Sequence, residues 1–413
     1  MTAQLHDLIV TKHTYGGECL GRLPDGRAVF VPFTLPGEQV RVRLIEEKRG
    51  FARADLLEVL EPSPERISPR CPHFAVCGGC HYQHLPYDKQ LAAKNDILVD
   101  QLERIGKIEN PPIGPVVASP QPFNYRNHIQ FQITPEGRFG FFKPRSDQVL
   151  EISECHLPQD PINTLWPQLN FESIPGLERV GIRLGVEDET LISFQGDQGS
   201  VPDLSIEGID VSVTHLSPYG TQVLAGSGYL LMEISNRLFR VSADSFFQVN
   251  TSTAAALVDH VLENLDLGSI ALVLDVYAGV GLFSAFVAGR VANVIAIESA
   301  ESACQDYEIN LVEFDNIELY QAPAEIVLAT LDVQPDCIIL DPPRAGLDRK
   351  VLDSLVGMNP PTIVYVSCDP ATMARDAQRL AKWGYQLDKL TLFDMFPQTY
   401  HLESVGVWRQ SNT

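Results

Sequence analysis

Leu272-Val273-Leu274-Asp275-Val276-Tyr277-Ala278-Gly279-Val280-Gly281-Leu282-Phe283-Ser284 is the stretch on which the fold turns. An apolar run of strand length leads into glycines at alternate positions and then an alanine-rich segment, which reads as a buried strand, a tight loop and the start of a helix. A second apolar run, Val294-Ile295-Ala296-Ile297, ends at Glu298, where a carboxylate can accept hydrogen bonds from ribose hydroxyls. Strand, glycine loop and helix then alternate from about residue 242 onward, the mark of a doubly wound α/β sheet. Gly279 and Gly281 permit close backbone approach, and the helix start suits an anionic group such as the methionine carboxylate of S-adenosylmethionine. A dinucleotide fits the same pattern, but the missing third glycine favours the methyl donor.

Two later segments carry reactive groups. Asp341-Pro342-Pro343-Arg344-Ala345-Gly346 follows the apolar run Cys337 to Leu340, and Tyr365-Val366-Ser367-Cys368-Asp369-Pro370 follows Thr362 to Val366. Open α/β sheets place their sites beyond the carboxyl ends of the strands, so a carboxylate and a thiol meet there. With the tail Phe393-Asp394-Met395-Phe396-Pro397-Gln398-Thr399-Tyr400-His401-Leu402-Glu403, these motifs resemble the RNA uracil-C5 methyltransferase family, and the resemblance covers nearly the whole chain.

The resemblance implies a class I, S-adenosylmethionine-dependent enzyme that makes 5-methyluridine. Uracil C5 is a poor nucleophile until something adds to C6, so a thiolate and a base are both required. By resemblance Cys368 adds to C6, Glu403 removes the C5 proton, and Asp341 holds the uracil or the donor. The donor contacts implied are Gln248, Tyr277, Glu298 and Asp341, beside the loop glycines Gly279 and Gly281. Leu282 and Ala278 stand where many relatives carry Asn and Cys, which removes a polar side chain at 282. A free thiol of pKa about 8.5 is mostly protonated at neutral pH, so activation is expected. Asp369 as cap and Pro370 in the first turn would set Cys368 at a positive helix end, with the Asp369 charge partly opposing it.

Upstream, residues 1 to 60 alternate as short strands broken at Gly16-Gly17, Pro24-Asp25-Gly26 and Pro36-Gly37, which predicts a small five-stranded barrel. It resembles the TRAM domain, an RNA-binding module. Pro62, Pro64 and Pro69 mark a linker, so the parts expected are 1–60, 61–241 and 242–413. Tyr87 to Ile105 reads as an amphipathic helix stopped by Gly106, and by family analogy it packs on the catalytic part. Residues from about 120 to 240, including Ile209-Asp210-Val211-Ser212-Val213, alternate as a mostly antiparallel α+β unit.

Cys71, Cys77 and Cys80 form C-x5-C-x2-C, and Cys155 follows. Four thiolates suit an iron-sulfur cluster or a structural zinc ion. The resemblance implies a [4Fe-4S] cluster with a structural, RNA-positioning role. Cys19, Cys304 and Cys337 read as small core residues.

The net charge of -22 opposes nonspecific phosphate binding, yet residues 1 to 160 are nearly balanced while 161 to 413 hold 13 basic and 33 acidic residues. RNA contact is therefore expected on the N-terminal portion and at the interleaved stretches Asn124 to His128 and Phe139 to Arg145. No apolar stretch approaches the roughly 20 residues of a membrane span, and Met1 to Asp7 lack a basic-then-apolar start, so a cytoplasmic monomer is expected. The cysteine cluster tilts the substrate toward 23S ribosomal RNA over transfer RNA. Two other readings stay open: amino-group methylation, which leaves Cys368 and Glu403 without a task, and a noncatalytic RNA-binding or redox-sensing protein.

Overall fold

The computed structural model describes residues 5–169, 174–199, 201 and 211–411; Met1 to Gln4 and the strand start Ile209-Asp210 lie outside them. Five strands, β1 (Leu5–Thr14), β2 (Glu18–Arg22), β3 (Ala28–Pro32), β4 (Gln39–Glu47) and β5 (Phe51–Glu61), close into a barrel in the order β1-β2-β3-β5-β4. Alternation puts Val29, Val31, Val40, Val42, Ala52 and Ala54 inside. Arg66 of the proline-rich linker pairs with Glu38, a fully buried carboxylate that also accepts from Leu35 N and Ser63 N, so the linker is fastened to the barrel.

Helix α1 (Tyr87–Gln101) continues as a π-helical turn over Leu102–Gly106. The chain turns at Lys107, which adopts φ 57°, rather than at Gly106. Gly106 serves another need: a Cβ there would lie 3.2 Å from the Ala374 carbonyl oxygen, so glycine lets the helix end closely approach the helix at Pro370–Lys382. The buried face of α1 carries Ile97 and Leu98, but also Gln90, Lys94 and Gln101.

The middle of the chain forms a sheet in the order β12-β11-β10-β9-β6-β7-β8, built from β6 (His128–Ile133), β7 (Phe139–Phe142), β8 (Val149–Glu151), β9 (Leu177–Leu184), β10 (Thr190–Gly196), β11 (Val211–Ser217) and β12 (Gly220–Ala225). Every pairing is antiparallel except β10 with β11. Helix α2 (Asp160–Leu165) and Trp166 share the core of this sheet with Phe131 and Val180. A hairpin of β13 (Tyr229–Ile234) and β14 (Arg237–Ser242) leads into the last domain.

That domain is a doubly wound sheet in the order β17-β16-β15-β18-β19-β21-β20: β15 (Leu272–Val276), β16 (Asn293–Glu298), β17 (Ile317–Gln321), β18 (Cys337–Leu340), β19 (Thr362–Ser367), β20 (Tyr385–Phe393) and β21 (Glu403–Gln410). The first five run parallel and β21 joins antiparallel. Helices α3 (Thr251–Glu263), α4 (Leu282–Val287) and α5 (Glu301–Asn310) contribute Leu257, Phe283 and Tyr307 to one core. The opposite core takes Val327 from α6 (Ala324–Val327), Leu352 from α7 (Arg349–Gly357), Ala377 from α8 (Pro370–Lys382), and Ile97 and Leu98 from α1. The N-terminal helix thus completes the face of a domain more than a hundred residues downstream. Strand order reverses between β15 and β18, which fixes the crevice where such sheets bind ligands. Among the described residues no helix is long and apolar enough to cross a membrane.

Candidate active site

The β15 loop is held from below and from the side. Asp275, fully buried, accepts from Ser284 N at 3.1 Å and Ser284 Oγ at 2.6 Å, and burial pushes its carboxyl up to about 6. Gly281 sits at φ 91°, and a Cβ on it would fall 2.3 Å from Leu311 Cδ1, so only glycine fits that turn. Tyr277 also has a positive φ, 68°, a strained conformation for a non-glycine residue that is stored at functional sites. Leu282 is 8% exposed and packs in the core with Ala278 and Val280. The helix behind the loop, α4, is only six residues long. Glu298 accepts from Gly279 N (2.9 Å), Ser299 N (2.7 Å) and Ala300 N (2.8 Å), so one of its roughly four acceptor positions remains for a ribose hydroxyl. Gln248 is buried and its backbone carbonyl accepts from Asn127 Nδ2, while neighbouring Phe247 packs in the core shared with the loop.

The sheet register brings the reactive groups together. Leu340 pairs with Tyr365 and Ser367 pairs with Ser404, so Asp341 and Cys368, just past the ends of β18 and β19, lie beside Glu403, the first residue of β21. Glu403 is 4% exposed, and its Oε1 has no hydrogen-bond partner among the described residues. Burial, then the Asp341 carboxylate, pushes Glu403 well above the usual carboxylate range, with Arg344 opposing. Asp341 is pushed up to about 7 by burial and by Asp275 behind it. Cys368 is pushed up to about 12 by burial, then by Glu403 and Asp341, against Arg344.

Burial and the neighbouring carboxylates thus oppose the activation expected from the helix end. Asp369 does cap α8, but its Oδ1 takes the Ala371 and Thr372 N–H groups at 3.0 and 2.9 Å, so the helix end is already occupied by an anion beside the thiol. Arg344 faces His401 Nδ1 at 3.3 Å, and burial holds His401 down to about 3, hence neutral.

Cys71, Cys77, Cys80 and Cys155 are free thiols that line one cavity of about 1100 Å³. They perturb one another electrostatically, and burial raises all four, Cys155 to about 12. No three His, Cys, Asp or Glu side chains converge on a single-ion site among the described residues. Arg126, Phe246, Arg344 and His401 also line this cavity, which therefore abuts the catalytic edge without containing Cys368.

Several residues of the other stretches read as RNA-contacting have partners within the fold. Tyr125 is buried and donates to the Pro397 carbonyl; Asn127 is buried; Phe139 and Phe141 pack on Phe131. Arg145 is bound to Glu18 and Asp55, and the barrel cations Arg41, Arg43 and Arg53 are paired with carboxylates. Sequence reading missed the groups that hold the tail loop. Lys94 and Asp394, both fully buried, lie 2.5 Å apart, and Gln90 exchanges hydrogen bonds with Gln398. Asp376 likewise fixes the loop after Asp341 by accepting from Leu347 N.

A class I methyltransferase sheet with a thiol and a carboxylate at its catalytic edge, preceded by a small barrel, defines the class. Residues 227–412 match the family profile of tRNA (Uracil-5-)-methyltransferase and residues 4–57 that of the TRAM domain. An uncharacterized RNA methyltransferase of Thermosynechococcus vestitus is 35% identical over 439 residues, and one of Aquifex aeolicus is 35% identical over 422; each match covers 97% of both chains. The crystal structure of Pyrococcus abyssi tRNA (uracil-54, C5)-methyltransferase with S-adenosyl-L-homocysteine superposes with a TM-score of 0.74, 26% identity, and coverage of 98% of this chain and 100% of that one. The chain belongs to the RNA methyltransferase family, in its uracil-5 branch.

Proposed function

We propose that this chain makes 5-methyluridine in RNA, with Cys368 as nucleophile and Glu403 as base. The observation that carries the reading is the β19–β21 ladder, which sets the Cys368 thiol against a buried carboxylate with an unpartnered oxygen. S-adenosylmethionine supplies the methyl group on a cationic sulfur. The Cys368 thiolate bonds to C6 and the electron pair moves to O4. C5 then bonds to the methyl carbon as the carbon–sulfur bond of the donor breaks. Glu403 accepts the C5 proton, the C5–C6 double bond re-forms and the thiolate leaves. Asp341 holds the pyrimidine edge or the donor; Gln248, Tyr277, Glu298 and the turn at Gly279 and Gly281 bind the donor.

The raised pKa values fit this assignment. Burial is the largest cause at all three groups, with Glu403 and Asp341 adding to it at Cys368, Asp341 at Glu403 and Asp275 at Asp341, and a cation bound at the neighbouring loop would favour their ionised forms.

Cys71, Cys77, Cys80 and Cys155 would hold a [4Fe-4S] cluster, with zinc as the second reading. Four free thiols lining one cavity are the donor set that such a cluster takes. A cluster there would brace the RNA-facing wall, since methyl transfer to uracil needs no electron. A brown preparation whose visible absorption bleaches on iron chelation supports it; a colourless zinc protein contradicts it. The residues 1–60, 61–241 and 242–413 act as RNA-binding, positioning and catalytic parts of one cytoplasmic monomer. The cysteine set supports 23S ribosomal RNA as substrate, and the likeness to the P. abyssi tRNA enzyme supports tRNA as a second reading. Incubating the protein with unmodified 23S and transfer RNA carrying tritium at uridine C5 separates these. Tritium release from one RNA, lost in Cys368→Ala, is expected; release unaffected by that change refutes the mechanism.

A further inference from the structure

The N-terminal barrel reaches the catalytic centre through Tyr15. Tyr15 lies in the β1–β2 turn, and its hydroxyl donates to Asp369 Oδ2 at 2.8 Å across 354 positions of sequence. Gly17 allows this docking, because a Cβ there would come within 2.9 Å of the His81 ring. The Tyr15 ring meets Tyr400 edge-on, with centroids 5.6 Å apart. Asp369 adjoins Cys368, and the Ser367 hydroxyl bonds both the N–H and the carbonyl of Asp369, so the thiol sits inside a fixed turn. With Oδ1 taken by two backbone N–H groups, Tyr15 supplies the donor to the remaining oxygen.

We propose that Tyr15 is a positioning residue for Cys368, acting through Asp369: its hydroxyl offsets the Asp369 charge and holds that carboxylate on the helix end and away from the thiol. The proposal rests on the assignment of Cys368 as nucleophile, but its test does not require RNA. The charged groups facing Cys368 are Glu403, Asp341 and Asp369, which disfavour the thiolate, and Arg344, which favours it. Weakening the compensation of Asp369 disfavours the thiolate further; neutralising Asp369 does the reverse.

The experiment is the pH profile of iodoacetamide alkylation at Cys368 in the intact holoprotein, read by peptide mass spectrometry so that the other cysteines do not interfere. Tyr15→Phe keeps the ring against Tyr400 and should move the Cys368 midpoint upward by about half a unit to one unit. That is roughly three- to tenfold slower alkylation below both midpoints. Asp369→Asn should move the midpoint downward, and in that background Tyr15→Phe should have little further effect. An unchanged midpoint in Tyr15→Phe, or equal shifts in both backgrounds, overturns the proposal and leaves Tyr15 a docking contact. Failure of the nucleophile assignment is distinct: it shows as full turnover in Cys368→Ala whatever the alkylation profile.

Discussion

Glu403→Gln divides the proposed reaction at its last step. The side chain is 4% exposed and its Oε1 has no partner, so an amide of the same shape adds no cavity and strands no new charge. Folding stability is therefore expected to change by less than about 1 kcal/mol. One of the three carboxylates that push the Cys368 thiol up is removed, so addition to C6 is not impeded and the thiol midpoint falls. Removal of the C5 proton loses its base, and general-base catalysis is worth roughly a hundred- to ten-thousandfold. Turnover should drop by that factor while the methylated, covalent protein–RNA species accumulates. With donor tritiated in the methyl group, the assay is label co-migrating with protein on a denaturing gel, absent in the double variant with Cys368→Ala. Free methylated RNA formed at the wild-type rate, with no protein-bound label, would refute the reasoning.

Other consequences follow from the same groups. Asp275 has its folded-state pKa raised from 3.8 to about 6, so its contribution to stability is fully present below pH 4 and is lost as pH rises through 6. Chemical denaturation at pH 5 and 8 should show Asp275→Asn freed of a penalty of up to about 3 kcal/mol at the higher pH; parallel curves for variant and wild type would contradict this. Asp341, raised to about 7, links donor binding to pH: calorimetry should find S-adenosylmethionine affinity rising between pH 6 and 8 and the affinity of its uncharged-sulfur product rising less. Equal slopes for the two ligands would remove the charge argument. Lys94→Met strands the fully buried Asp394 carboxylate, whose Oδ2 already lacks a partner among the described residues. A loss of about 3–5 kcal/mol is expected in denaturant titration, and a loss under 1 kcal/mol would show that the pair is incidental.

The parts of this molecule that are periodic or glycine-marked were legible in its sequence. The barrel alternation around Val29 and Val40, and the loop at Gly279 and Gly281, map directly onto β3, β4 and the turn after β15. What escaped is polar, buried and distant in sequence. The face of α1 reads as apolar through Ile97 and Leu98, yet Lys94 and Gln90 on the same face hold a loop some 300 residues away. Asp275 looks like any residue of an apolar strand until Ser284 is seen to close on it. At Cys368 the cap, the helix end and the neighbouring carboxylate were visible, but the weight of burial against the thiolate depends on packing that local sequence does not encode.

The central claim is a transient bond between the Cys368 sulfur and uracil C6. RNA carrying 5-fluorouridine has no C5 proton to surrender, so incubation with donor and wild-type protein should leave an adduct that survives denaturing electrophoresis and maps to Cys368. Ordinary RNA methylated by the same preparation while the fluorinated RNA yields no adduct, or an adduct mapping elsewhere, would contradict the account.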